Sequence, residues 1–514
     1  MNGADALLTT LLANEVTVCF ANPGTSEMQF VAALDRHSQM QSVLCLFEGV
    51  ATGAADGYGR IAEKPACTLL HLGPGYANGA ANLHNARRAF TPIVNVIGDH
   101  ATYHRQYDAP LNSDIATLAA PNSIWVKSAD SPDEVAGLAA EAVAASYGLP
   151  SGPVSLILPA DSAWLETSTA PVLAQRSECL APSGSTIDAV AKAIRVAASP
   201  VVLIGGQACR EEGLAQAARL QAAGVRVIAD TFVARLPRGA GRFAPARLPY
   251  FGEIALKELE GVDLIIFCGT TEPVAFFAYP NRPSVLVPPG CVTLSLTAPK
   301  QDAVAALRAV ADAIGAPKGG PTSRLERPDA APSGALNPYA VGLTMARHLP
   351  EGAIISDDGV TSSGGVAAPT TTAAPHDVLA LTGGAIGVGL PLAAGAAIAA
   401  PDRKVVALTG DGSAMYTIQA LWTLAREGLD VTVVVFVNNS YRILNIEMFR
   451  TGSGDAGPQA QKLLGIGDPA IDWVLLARSL GLPAVCCETA EEFERAFAGA
   501  MINRGPNLIA ALVP

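Results

Sequence analysis

Between Lys404 and Leu444 the chain reads KVVALTGDGSAMYTIQALWTLAREGLDVTVVVFVNNSYRIL, and this stretch limits the possible folds more than any other. An apolar run, Val405 to Leu408, reads as a buried strand that stops at Gly410-Asp411-Gly412. Helix-period residues follow, with Ile418, Leu421, Trp422 and Ala425 expected on one face. A second apolar strand, Val431 to Val437, ends at Asn438-Asn439-Ser440. Strand, helix and strand at this spacing form a parallel crossover, whose two carboxyl ends lie side by side where ligands bind. That edge carries a carboxylate (Asp411), an amide oxygen (Asn438) and a backbone carbonyl (Ser440). Hard oxygens of this kind suit a magnesium ion that keeps phosphate oxygens as its other ligands. Gly410 and Gly412 let the backbone approach a diphosphate, and the helix start at Ser413 offers it unpaired N–H groups. An ordinary crossover with a glycine turn is the plainer reading, and the asparagine pair at the next strand end weighs against it.

Composition sets the outer bounds. A length of 514 residues suggests about three domains. Half the residues are hydrophobic and 16% are charged, a balance that favours large cores and extensive subunit contacts. No apolar run reaches the roughly 20 residues needed to cross a bilayer. The start, MNGADALLTTLLANE, lacks the basic flank and cleavage site of a secretory leader and reads as an amphipathic helix. A net charge of −12 without basic clusters argues against nucleic acid or an anionic membrane as partner. Nine scattered cysteines with no C-x-x-C pair point to reduced thiols and a cytoplasmic location.

Alternating strand and helix patterns define an α/β chain of three doubly wound parallel-sheet domains, at 1–165, 186–320 and 337–514. Strands are expected at Val16–Phe20, Ser42–Phe47, Ala66–His71, Ile93–Ile97 and Pro153–Leu158 in the first. The second should hold Val201–Ile204, Val225–Ile228, Leu264–Cys268 and Val285–Val287. The third adds Ala353–Ser356 and Asn507–Val513 to the crossover pair. Pro- and Ser/Thr- or Gly-rich pieces, Glu166 to Ser185 and Gly315 to Pro338, read as linkers.

Glu48 ends an apolar strand and opens EGVATGAADGYGR. Read alone, it is either a helix N-terminal glutamate favoured by the macrodipole or a desolvated proton carrier. The pattern of Glu48, Gly49, Ala51, Ala54, Ala55, Asp56, Gly57, Tyr58 and Arg60 resembles thiamine-diphosphate (ThDP) enzymes. So does the GDG followed, 27 residues after its aspartate, by Asn438. The usual spacing in that family leaves Asn438 and Asn439 both open as the metal ligand. The resemblance implies that Glu48 hydrogen-bonds the aminopyrimidine N1′ and promotes the tautomer that takes the C2 proton. LTGGAIGVGLPLAAGAAI resembles another family segment, in which Ile386 would bend the cofactor and the Gly384 carbonyl would accept from its 4′-amino group. Asp358-Gly359 and Thr361-Ser362 resemble the loop that touches the diphosphate, although a turn with hydroxyl caps is an alternative. Tyr441 either donates to phosphate, lines the pocket or packs on a neighbouring helix.

Two stretches bear on substrate. ANPGTSEMQF resembles a turn of benzoylformate decarboxylases, with Thr25 at the pocket serine position. In LLHLGPGYANGAANLHNA, His71 matches a histidine of those decarboxylases, while Gly73-Pro74-Gly75 and Asn78 look like acetolactate synthases. His71 is either a satisfied core residue or, beside ThDP, a proton carrier. His100 and His104 could bind a metal if helical, and otherwise belong to a surface or interface loop. Acetolactate synthases bind FAD through an Arg-rich motif; here that place reads LIIFCGTTEPVAFFAYP without arginine, and Asp99 follows Gly98 where they have glutamine, so FAD is doubtful. The resemblance therefore implies a ThDP- and Mg²⁺-dependent decarboxylase or carboligase of 2-oxo acids, with an aldehyde acceptor in the second case. It also implies a homodimer or homotetramer with each site at a subunit interface. The alternatives are an FAD-requiring acetolactate synthase and a catalytically silent ThDP-fold regulatory or binding subunit.

Overall fold

A computed structural model describes every residue except 299–300. Three sheets organise the chain. The first is all parallel, in the order Gln41–Leu44, Val18–Ala21, Ala66–Leu70, Ile93–Asp99, Pro153–Pro159 and Val126–Ser128. Alternation along one strand shows why it is covered on both faces. Val94 and Val96 join the core under the Gly3–Ala13 helix, and Ile93 and Ile97 join the core on the other side. The first helix begins at Asn2, whose side chain and that of Asp5 cap each other's backbone N–H groups.

The third sheet orders Ala484–Cys487, Asn507–Leu512, Val431–Val437, Val405–Gly410, Ala353–Asp358, His376–Ala380 and Leu236–Arg238. Only the last pair is antiparallel; Leu236–Arg238 comes from the middle of the chain and closes the edge of this sheet. The middle sheet runs Ala246–Arg247, Arg226–Ala229, Pro200–Ile204, Leu264–Cys268 and Val292–Ser295. Val285–Val287 is not one of its strands. In the Pro-rich segment around it, Val285 forms only an isolated bridge with Val274, and Val292–Ser295 takes the edge position.

First and third sheets share one core. The Glu48–Ala62 helix packs on the Gly389–Ala399 helix, and small residues let the backbones meet: a Cβ at Gly57 or Gly395 would overlap the carbonyl of Leu392 or Ala54. Asp56 and Arg60 then act as a lock. Arg60, 2% exposed, bonds Asp56 through Nε (2.8 Å) and Nη2 (2.6 Å). Its Nη1 donates to the carbonyls of Ala380 (2.7 Å) and Ala234 (3.0 Å), so one guanidinium ties together segments of all three sheets' surroundings.

The crossover after Gly410-Asp411-Gly412 is a short helix, Asp411–Ala414, followed by turns and a second helix, Ala420–Arg426. Leu421 is buried in the shared core with Ala420 and Leu424, Ile418 and Ala425 pack half-buried against it, and Trp422 is half-buried. All nine cysteines are free thiols. Among the described residues no helix is long and apolar enough to cross a membrane.

Candidate active site

Parallel pairing of Val405–Gly410 with Val431–Val437 sets their carboxyl ends side by side. Asp411 is 3% exposed, and its Oδ2 accepts from the backbone N–H of Asn438 (3.0 Å) and Asn439 (2.6 Å). Its Oδ1 accepts from Gly412 N–H (2.8 Å). Burial raises the Asp411 carboxyl above its ordinary range, against the pull of these three donors. Among the described residues no cation pairs with it. The Asn438 Oδ1 turns back to accept from Ser440 N–H (3.0 Å), and no backbone N–H among the described residues donates to the Ser440 carbonyl. A buried anionic oxygen, an amide oxygen and an unengaged carbonyl on one turn fit a hard divalent cation. The Tyr441 ring lies on Gly412, where a Cβ would run into it, and Ser413 is buried directly after.

The neighbouring strand end, Ala353–Asp358, leads into a turn in which Val360 has φ 49°, a left-handed conformation costly for a β-branched residue. Gly359 is buried, Thr361 half-buried and Ser362 buried, with Ser362 N–H donating to the Gly359 carbonyl (2.9 Å). Asp358, 1% exposed, accepts at Oδ2 from Gly387 N–H (2.8 Å) and Gly389 N–H (3.2 Å), and its Oδ1 has no partner. It thereby fastens this turn to the loop bearing Gly384 and Ile386. Gly384 is exposed with φ 80°, Phe276 of the middle domain sits against it, and Ile386 is half-buried. From the first domain, Asn85 holds the same loop, with Oδ1 accepting from Gly383 and Ala385 N–H and Nδ2 donating to the Ala385 carbonyl (2.8 Å).

Burial pushes the Asp358 carboxyl up to about 7, with Asp357 adding to the shift. An unfolded aspartate ionises near 3.8, so between that pH and about 7 the folded state binds more protons and stability falls as pH rises. At about 1.4 kcal/mol per unit the loss is on the order of 4 kcal/mol. Asp358→Asn, which still offers the glycines an acceptor, should flatten this decline in thermal melts recorded from pH 4 to 8. An unchanged slope would remove Asp358 as its source.

Three adjacent strands of the first sheet, Gln41–Leu44, Val18–Ala21 and Ala66–Leu70, place Glu48, Glu27 and His71 at one edge. Glu48, 7% exposed, accepts at Oε2 from Asn78 Nδ2 (3.0 Å). A Cβ on Gly75 would lie 3.3 Å from both Glu48 Oε1 and the His71 Cβ, so the Glu48 carboxylate and the root of the His71 side chain flank the same glycine. His71 Nδ1 lies 2.9 Å from Glu27 Oε2 and 3.2 Å from Ser26 Oγ. Thr25 is exposed, and it is Ser26, next along, whose hydroxyl reaches His71.

The single chain does not hydrogen-bond Glu48 to Asp411, Asn438 or Ser440. His100 and His104 sit in an irregular loop with rings 5.4 Å apart, and no metal-binding group of three or more His, Cys, Asp or Glu occurs among the described residues. Glu27 and Asn85 were not singled out as site residues by the sequence, and Asp358 only as part of the loop resembling a diphosphate contact. Glu27 and Asp358 sit inside quoted motifs, but their partners lie far away in the chain.

This fold and these two edges define a thiamine pyrophosphate enzyme, and the chain belongs to that family. Family models match it as the N-terminal TPP binding domain over residues 1–118 and the C-terminal TPP binding domain over 359–511. It is 50% identical over 518 residues, 100% of this chain and 99% of the other, to a protein of Mycobacterium tuberculosis named as a candidate acetolactate synthase large subunit, IlvX. It is 27% identical to the benzoylformate decarboxylase of Pseudomonas aeruginosa, over 96% of this chain and 95% of that one. The solved thiamine diphosphate-dependent 4-hydroxybenzoylformate decarboxylase of Rhodococcus jostii RHA1 superposes with a TM-score of 0.87 at 25% identity, covering 100% of this chain and 99% of the other. The three-domain α/β fold expected from the sequence is the fold these relatives share.

Proposed function

We propose that the chain is a ThDP- and Mg²⁺-dependent enzyme that breaks or forms the carbon–carbon bond next to the keto group of a 2-oxo acid. The observation that carries this reading is the pair of complementary edges: a buried Glu48 on the first sheet and an oxygen cage of Asp411, Asn438 and Ser440 on the third. Asn438 is the ligand in preference to Asn439, whose side chain is exposed, with its Cβ crowding Gly467. Gly410, Gly412, Ser413, Gly359, Thr361, Ser362 and Tyr441 would surround the diphosphate, and Gly384 and Ile386 the pyrimidine side. ThDP, when bound, would supply a thiazolium electron sink at the substrate's keto carbon. Asn78 orients the Glu48 carboxyl, which would carry the proton exchanged with the aminopyrimidine, and His71 would hold a second proton on the substrate side. Thr25 lines the approach. Within one chain the Glu48 carboxylate bonds Asn78 and none of Asp411, Asn438 or Ser440, which fits a site completed by a second copy, hence a homodimer or a homotetramer.

The test is CO₂ release from a panel of aliphatic, branched and aromatic 2-oxo acids with ThDP and Mg²⁺, each with and without an aldehyde acceptor. Release that raises aldehyde assigns decarboxylation; release that yields a 2-hydroxy ketone assigns ligation. No release from any acid would leave the silent-subunit reading standing. The segment from Leu264 to Pro280 carries no arginine, so the purified enzyme should be active without flavin absorbance.

A further inference from the structure

Arginines crowd the seam between the middle domain and the third sheet, and most have a carboxylate partner. Arg235 and Arg403 share Asp377 (3.2 and 2.6 Å), Arg242 pairs with Glu211 (3.3 Å) and Arg210 with Glu63 (3.4 Å). Arg238 and Arg247 form no ion pair among the described residues. Each spends only its Nη2: Arg238 donates to the Ala367 carbonyl and Thr371 Oγ1 (both 2.7 Å), and Arg247 to the Thr231 carbonyl (2.7 Å). Their Nε and Nη1 groups have no protein acceptor among the described residues. Both residues line one cavity of about 20 Å³, between the Ala246–Arg247 strand of the middle sheet and the Leu236–Arg238 strand that closes the third. Leu236, Ile355, Val378 and Leu408 give it apolar walls. Its hydroxyls are spent on the protein: Ser363 Oγ donates to Asp357 Oδ1 (2.5 Å) and Thr370 Oγ1 to the Val366 carbonyl (2.9 Å). Asp357 is the one carboxylate in the lining, so one positive charge is left unmatched. Burial lowers the Arg238 guanidinium to about 10, with the charge of Arg247 adding to the shift and that of Asp357 opposing it.

We propose that Arg238 and Arg247 form a binding site for one small monovalent anion of chloride or bromide size. A cavity of about 20 Å³ has room for a monatomic ion or one water and for little more. Two like charges held close together in a partly apolar space are costly until a counter-ion sits between them. A guanidinium is weakly hydrated, so it gives up little water to meet a halide against an apolar wall. Arg247 is exposed, which leaves the cavity a side open to solvent by which the ion enters. Bound there, the anion braces the seam where a strand of the middle domain closes the third sheet, acting through Arg238 and its bonds to Ala367 and Thr371. The proposal goes beyond the reaction argued above and does not depend on it.

Crystals of the full chain soaked in sodium bromide should show a bromide anomalous peak between the two guanidiniums, and an empty cavity overturns the proposal. In solution, ³⁵Cl NMR of the protein in sodium chloride should show an excess linewidth that bromide displaces and that gluconate, too large for the cavity, does not. Arg247→Gln, which gives up only the bond to the Thr231 carbonyl, should remove most of that excess. Arg308→Gln, at an exposed arginine 3.8 Å from Glu212, should leave it unchanged. Thermal melts at constant ionic strength should follow the same order. Replacing gluconate by chloride should raise the wild-type midpoint along a saturating curve and leave that of Arg247→Gln flat. A linewidth or midpoint shift equal in all three proteins would come from general surface charge and overturns the site. Displacement by gluconate as effective as displacement by bromide overturns its size. The bromide map decides even if Arg247→Gln fails to fold.

Discussion

Glu48→Gln should lower kcat by about 10³-fold, within the range for removing a positioned proton carrier, while the protein still binds magnesium and diphosphate. The substitution keeps the side chain's shape, and a rotated amide can still offer its oxygen to Asn78 Nδ2, now 3.0 Å from Oε2. What it loses is the capacity to exchange a proton with the cofactor ring. Glu48 opens a helix that is buried from Glu48 through Arg60, so a larger change would disturb the shared core and confuse catalysis with folding. The informative combination is an unchanged thermal midpoint and calorimetric ThDP affinity together with a collapsed turnover. A fully active variant would place the proton relay elsewhere, and a variant that no longer binds ThDP would make Glu48 a binding group first.

What the sequence brought together is the parallel crossover: Asp411 and the Asn438–Ser440 turn sit at the ends of two strong apolar runs, and parallel pairing places them side by side, as the structure has them. Glu48 was legible as a charged residue interrupting a run of small and apolar ones. Glu27 was hidden because its meaning depends on Gly98 and His71, which lie 71 and 44 positions further on. Asp358 looked like a cofactor contact, yet its carboxylate faces the backbone of Gly387 and Gly389. The Leu236–Arg238 strand could not be assigned to its sheet from local pattern, since its partner His376–Ala380 is some 140 residues away. In the crossover the expected apolar face holds for Leu421, Ile418 and Ala425, which pack on the shared core, although the turns after Ala414 split the helix in two.

Asp411→Asn should abolish magnesium-dependent uptake of ThDP, with a smaller cost to the fold. Its three backbone donors, Gly412, Asn438 and Asn439 N–H, all point at carboxylate oxygens. An amide can satisfy one side only; its NH₂ must face an N–H on the other, a donor–donor contact that costs about 1–3 kcal/mol as an unmet bond. That local cost loosens the turn carrying Asn438 and the Ser440 carbonyl, so two of the proposed ligands would lose position when the third loses charge. Metal affinity should therefore fall further than removal of a single ligand charge explains. Calorimetric titration with ThDP, with and without Mg²⁺, separates the two effects. Wild type should bind much more tightly with the ion, and the variant should bind weakly and equally in both. An Asp411→Asn protein that still gains affinity from Mg²⁺ would move the cage off the Gly410–Gly412 turn and take the functional reading with it.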